Sequence, residues 1–135
     1  MKLIFVITIF LFLSEHLKAH ELKINISKLK KGKIGIVIFD SEDGFPKEAN
    51  KAIFKAFKDP SEFPLILKFT DGKYAISIFQ DSNNNTKLDT NFLGIPKEDF
   101  GFSNNKIGLF GPPSFKESSI ELFSDKSIEI ELKGF

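Results

Sequence analysis

Apolar residues recur at every second position through most of this chain, and that period decides what it can fold into. Leu22, Ile24 and Ile26 alternate with Lys23, Asn25 and Ser27, the pattern of a strand buried on one face. After a Lys30-Lys31-Gly32 turn, Ile34, Ile36 and Ile38 line one face of a second strand. Val37 and Phe39 fall on its other face, so this strand is expected to be covered on both sides. Leu65, Leu67 and Phe69 form a third, and the Asp71-Gly72 turn leads into Tyr74, Ile76 and Ile78 in a fourth. Ile120 and Leu122, a turn at Ser124-Asp125-Lys126, and Ile128, Ile130 and Leu132 predict a C-terminal hairpin. One stretch breaks the period. Behind Pro46, Ala49, Ile53, Ala56 and Phe57 recur at helical spacing and predict one short helix within residues 46–57.

These signals describe an all-β fold, an antiparallel two-sheet β-sandwich of immunoglobulin- or transthyretin-like type with about seven strands. Tyr74 enters its strand just after a tight turn, the position of a tyrosine corner whose hydroxyl bonds nearby backbone. That makes its expected role structural rather than catalytic.

Residues 1–19 read as an address rather than as fold. Lys2 is followed by the apolar run Leu3 to Leu13, broken only by Thr8, and Leu17-Lys18-Ala19 suits signal peptidase. The run is short of the roughly 20 apolar residues a membrane span needs, so cleavage before His20 and export to the periplasm or medium are expected. Residues 20–135 then make one domain without a stable membrane span. The leader takes Lys2 and Lys18 against Glu15, leaving 17 basic and 17 acidic residues and no net charge. A neutral domain lacks the electrostatic footprint of a nucleic-acid binder. Every basic residue is Lys, so bidentate Arg recognition of phosphate or carboxylate is absent too. There is no cysteine, and the core must hold without disulfides; 17 Phe supply its bulk.

The missing residues constrain the chemistry. After the leader only His20 remains, so neither a Ser-His-Asp nor a Cys-His nucleophile system is available. Imidazole- or thiolate-based zinc, copper and iron sites are excluded on the same ground. Acid–base chemistry would fall to carboxylates, with Asp81 and Asp89 or Glu98 and Asp99 as candidate pairs.

The stretch from Asp81 to Asn105 has no regular period, yet it carries Phe92, Leu93, Ile95, Phe100 and Phe102. A connection of this length inside a small domain is uncommon, and an ordered one is usually functional. Its first part, Asp81-Ser82-Asn83-Asn84-Asn85-Thr86-Lys87-Leu88-Asp89, places oxygen side chains at positions 1, 3 and 5 and an Asp at 9. That spacing matches the start of a calcium loop, in which alternate residues of a curled backbone point oxygens inward. Asp81, Asn83, Asn85 and Asp89, with the backbone carbonyl of Lys87, are the candidate ligands, and calcium is the one cofactor suggested. Two departures stand against it: Thr86 replaces the usual Gly at position 6, and Phe92 stands at position 12 where a bidentate acid belongs. Return of Glu98 or Asp99 to the loop would make up that loss. The same Asn and Asp residues equally serve Asx-turns and left-handed backbone positions, and both readings stand.

Taken together, Gly72-Lys73-Tyr74-Ala75-Ile76, Asp81 through Asn85, Lys87 through Asn91, Gly94-Ile95-Pro96-Lys97-Glu98, Gly101 through Asn105 and Pro112-Pro113-Ser114-Phe115 resemble the bacterial family DUF2141. The resemblance covers essentially the whole domain and implies an exported β-sandwich of a Gram-negative envelope. It implies no activity or catalytic residue. One departure is Gln80, where the family commonly has His before the Asp of the loop.

The expected function is therefore a non-enzymatic envelope binding or interaction module. Its partner is an envelope protein, a glycan or a small ligand, met by the long loop through Glu98, Asp99, Phe100, Ser103 and Asn104. A carboxylate-based enzyme and a purely structural assembly domain are the alternatives. Phe92 and Phe102 are expected to seal the core as a cap, and Phe100 to be exposed beside Glu98 and Asp99.

Overall fold

The computed structural model describes residues 17–134; residues 1–16 of the predicted leader and Phe135 lie outside the described residues. Among the described residues, eight strands form two sheets. The first sheet has the order β4-β1-β8, from β1 (Ala19–Ser27), β4 (Leu65–Thr70) and β8 (Lys126–Glu131). The second runs β3-β2-β5-β6, from β2 (Lys33–Phe39), β3 (Phe54–Lys58), β5 (Gly72–Asp81) and β6 (Phe100–Phe102). β7 (Ser119–Leu122) pairs with the first half of β5, from Gly72 to Ala75, while β6 pairs with its second half, from Ser77 to Phe79.

The period of two is fulfilled strand by strand. Leu22 and Ile24 of β1, Ile34, Ile36 and Ile38 of β2, Ile76 and Ile78 of β5, and Ile130 of β8 are buried between the sheets. β2 is covered on both faces, as expected, because a second apolar layer lies outside its sheet. Phe39 meets Phe45 edge-on at 5.3 Å between ring centroids, and Phe45 meets Phe102 at 6.1 Å and Phe115 at 6.0 Å. Phe57 and Phe79 pair at 6.0 Å. Many of the phenylalanines therefore serve this outer layer rather than the central core.

Three expectations are corrected. The helix within residues 46–57 does not form. A single 3-10 turn at Ala49–Lys51 is followed directly by β3, which pairs with β2 from Ile34↔Lys58 to Ile38↔Phe54. The backbone of β2 needs partners on that edge, and the Phe54, Ala56, Lys58 alternation supplies them at the expense of the helical spacing. The C-terminal strands make no hairpin with each other. β7 joins β5 in one sheet and β8 joins β1 in the other, so the turn at 123–125 is a crossover between sheets. Finally, the pairing of β1 with β8 is parallel within an otherwise antiparallel sandwich. The one α-helical element among the described residues, α1 (Phe115–Ser118), is one turn with a Ser114–Glu117 capping box.

The sheets are stitched together along one side. Phe100 and Lys133 exchange both backbone hydrogen bonds at 2.9 Å, and Asn105 accepts from the Glu131 N–H at 2.8 Å and donates to the Glu129 carbonyl at 3.2 Å. Gly101 allows this crossing, since a Cβ there would sit 2.8 Å from the Glu131 carbonyl oxygen. At the opposite end of β5, the Tyr74 hydroxyl donates to the Thr70 carbonyl at 2.7 Å, as a tyrosine corner does. Close by, buried His20 bonds the Asp71 carboxylate through Nε2. Tyr74→Phe removes one partly buried hydrogen bond without changing shape, so unfolding in urea is expected to show a loss of about 1 kcal/mol. An unchanged midpoint would contradict the corner.

Candidate functional site

The 81–99 segment leaves the end of β5 beside the β1–β2 turn, and Gln80 fixes that junction. Its buried side-chain amide accepts from the Lys30 N–H at 2.9 Å and donates to the Gly32 carbonyl at 2.7 Å. Its backbone N–H donates to the Asp99 carbonyl at 2.8 Å, which ties the far end of the loop to the near end.

Asp81 then turns the chain. Its carboxylate is 0% exposed and accepts the N–H groups of Asn85 at 3.1 Å and Thr86 at 2.8 Å. The Asn83 side-chain oxygen accepts from the Asn85 N–H at 3.3 Å, and that of Asn85 from the Lys87 N–H at 3.0 Å. To curl this tightly, Asn84 and Thr86 take left-handed backbone, with φ of 52° and 64°. Asn tolerates that region, whereas a β-branched Thr rarely enters it. Thr86 thus adopts the conformation for which a calcium loop normally uses Gly.

Asp89 lies where the curl closes. Its carboxylate receives the Asn83 side-chain N–H at 2.8 Å and that of Asn85 at 2.9 and 3.0 Å. These bonds, helped by Lys97 and Lys87, hold its pKa below the ordinary aspartate value. Glu98 comes back to the loop. It is 7% exposed, and its carboxylate accepts from the Ser82 N–H at 3.2 Å and the Asp89 N–H at 3.3 Å. Burial pushes its pKa above the ordinary 4.5, with Asp89 and Asp81 adding to the rise. Asp99 does not join them: it pairs with Lys30 at 2.6 Å. Ser82, Asn83, Asp89, Thr90, Lys97 and Glu98 line an open depression of about 450 Å³. Among the described residues, no three Asp, Glu or His side chains are close enough to hold a metal by themselves. A cation here would need the amide and carbonyl oxygens as well.

Between Asp89 and Lys97 the chain makes a compact turn. The Asn91 side-chain oxygen accepts from the Leu93 and Ile95 N–H groups at 2.9 and 3.1 Å, and its carbonyl accepts from the Gly94 N–H at 2.9 Å. Gly94 supplies the positive φ, 78°. The turn carries Phe92 outward, 95% exposed, with Leu93 at 68%. Phe92 therefore does not cap the core, because Asn91 fixes the turn so that this side chain points away. Phe102 is buried as expected. Phe100 is half-buried rather than exposed, held in β6 edge-on to Phe102 at 5.9 Å.

Two further candidates belong to the framework. Buried Ser103 accepts from the Ile76 N–H at 2.9 Å and donates to the Ser118 carbonyl. Asn104, at φ 63°, donates to the Glu117 and Ser119 carbonyls at 3.1 and 2.9 Å. Together they latch β6 to α1 and β7. Sequence reasoning named Asn91 and Gln80 but missed their roles; the Asn-x-x-Gly spacing from Asn91 to Gly94 was the available signal for the turn.

A family described as an uncharacterized protein conserved in bacteria, DUF2141, matches residues 22–131. The chain belongs to the DUF2141 family. Neither the curated proteins nor the solved structures gave a match. Gln80, where the resemblance implies His, has a physical reading. At position 80 the side chain must both accept and donate across the β1–β2 turn, and a neutral His, with one nitrogen of each kind, offers the same pair.

Thr86→Gly relieves left-handed strain of about 1–2 kcal/mol, partly offset by the added freedom of the unfolded chain. The variant should therefore be more stable by a few tenths to about 1 kcal/mol in chemical denaturation; destabilisation would contradict the strained curl. For Glu98, a carbon-detected NMR titration without calcium should give a midpoint above the ordinary glutamate value of 4.5. Because the folded state holds that proton more tightly than the unfolded one, the stability linked to Glu98 is present below 4.5 and falls as pH rises through the raised value. A midpoint at or below 4.5 would show Glu98 to be solvated.

Proposed function

We propose that this domain is an exported, non-enzymatic binding module of the cell envelope whose 81–99 loop is the contact surface and whose curl also holds a calcium ion weakly. The observation that carries the reading is the meeting of the Asn83 and Asn85 amides on the Asp89 carboxylate, on a loop begun by buried Asp81. The two amide N–H groups neutralise Asp89 from the side where a cation would stand. A half-turn of each amide exchanges nitrogen for oxygen and brings both oxygens to that point, with the Lys87 carbonyl as a further ligand. Glu98 adds a nearby carboxylate whose raised pKa an ion would lower again. With so few formal charges, the dissociation constant is expected on the order of 10⁻⁴–10⁻³ M, as in extracellular modules.

A second reading has one specific observation in its favour. Glu98 is pushed up and Asp89 held down, and neighbouring carboxylates driven apart in this way can serve as acid and base. On that reading the domain is a carboxylate-based enzyme working at the depression. A purely structural assembly domain needs neither an ion nor a ligand.

Thermal unfolding in calcium, magnesium or chelator separates these. Calcium at ten times its dissociation constant should stabilise the domain by roughly 1.4 kcal/mol, and Asp89→Asn should abolish the shift. Equal midpoints in all three conditions remove the calcium part. Amide NMR with envelope glycans, peptidoglycan fragments and peptides should place perturbations within residues 82–98. Turnover of any of these, lost in folded Asp81→Ala or Asp89→Ala, would establish the enzyme instead.

A further inference from the structure

The turn at residues 91–95 spends its polar groups on itself and leaves its large apolar side chains unused. Asn91 satisfies the backbone, so Phe92 and Leu93 are held outward on a defined platform, with Ile95 40% exposed beside them. Isolated apolar residues are normal on surfaces, but a contiguous, rigidly presented group marks an interaction site.

The surrounding charge says what it meets. Of the acids in and around the loop, Asp81 and Glu98 are buried, Asp99 pairs with Lys30, and Glu131 pairs with Lys28 at 2.6 Å. Asp89 is only half exposed, beneath two amides. Four of the basic residues, in contrast, face water. Lys87 and Lys97 flank the turn, and Lys31 on the β1–β2 turn and Lys33 at the start of β2 are exposed. That second turn is held against the loop by Gln80 and by the Lys33 N–H donating to the Asn84 side chain at 3.3 Å. A neutral domain thus presents, at this one end, an apolar tip ringed by lysines with its acids withdrawn. Apolar side chains that enter a headgroup layer while surrounding lysines reach its phosphates are the pattern of an interfacial membrane contact. A protein groove could take the tip but would not require the lysine ring.

We propose that this end of the domain docks on an anionic phospholipid surface, with Phe92 and Leu93 inserted among the headgroups and Lys31, Lys33, Lys87 and Lys97 on the phosphates. The proposal rests on the reading that the 81–99 loop is the contact surface, and it names the partner.

The test uses residues 19–135, which carry every strand described above, in sedimentation with vesicles of phosphatidylethanolamine alone or with one quarter phosphatidylglycerol. Binding is expected only to the anionic vesicles and should weaken in high salt, where surface charge is screened. Phe92→Ser with Leu93→Ser should reduce partitioning at least tenfold, and Lys87→Ser or Lys97→Ser about fivefold each. All of these positions are exposed, so unchanged circular dichroism and thermal midpoints confirm that the variants are folded. Equal binding to both vesicles, or undiminished binding by the Phe92 and Leu93 variant, overturns the proposal. Phe92-dependent dimerisation without lipid overturns it as well. If vesicles are ignored while a soluble glycan or peptide perturbs the amides of residues 82–98, the lipid proposal falls and the binding-module reading survives. If nothing perturbs them, both fall.

Discussion

A carboxylate at the end of the central strand organises the long loop that follows it. Asp81 closes β5 fully buried, and a charge in that position persists only if hydrogen bonds replace the water it lost. The chain answers by curling back, so that the N–H groups of Asn85 and Thr86 point at it. The left-handed residues at 84 and 86, the placement of Asp89 and the depression beside it all arise from that curl. Lys33 pairs with Asp81 in the ladder, so the β1–β2 turn is brought to the same place.

The sandwich supplies the rigid frame. β5 is bonded to β2 on one side and to β6 and β7 on the other. The two sheets are also joined through Phe100 and Lys133, just after the loop re-enters. Both feet of the loop are therefore fixed: one by Gln80, the other by the Asp99 carbonyl and the start of β6. Loops on such scaffolds can carry exposed binding groups at little cost to the core. Phe92 is held exposed in this way, since burying it would demand a different Asn91 turn.

What the sequence made legible was whatever depends on side-chain period. Ile34, Ile36 and Ile38, or Leu65, Leu67 and Phe69, name their faces because successive side chains on a strand point to opposite sides. Partnership is less legible. Ile128 and Ile130 read as half of a hairpin, yet they pair in parallel with Ile24 and Ile26 from the far end of the chain, and nothing local encodes that choice. Ala49, Ile53, Ala56 and Phe57 fitted a helix, but an open edge on β2 outweighed local spacing. In the loop, Asp81, Asn83, Asn85 and Asp89 were legible as a group because polar spacing there is a pattern in itself. Whether Phe92 faces in or out was not, since it turns on which N–H groups Asn91 accepts. The inward Glu98, the outward-paired Asp99 and the framework roles of Ser103 and Asn104 likewise depend on contacts distant in sequence.

The proposal most open to direct test is that the curl built on Asp81 also holds a cation at Asp89, in place of the amide N–H groups that satisfy that carboxylate. A crystal structure at millimolar calcium tests it most directly. The predicted result is an ion bound by Asp81, Asn83, Asn85, the Lys87 carbonyl and Asp89, with oxygens at about 2.3–2.6 Å, and with both Asn amides turned so that oxygen faces the metal. A loop without an ion at saturating calcium, its Asn83 and Asn85 N–H groups still donating to Asp89, would contradict it.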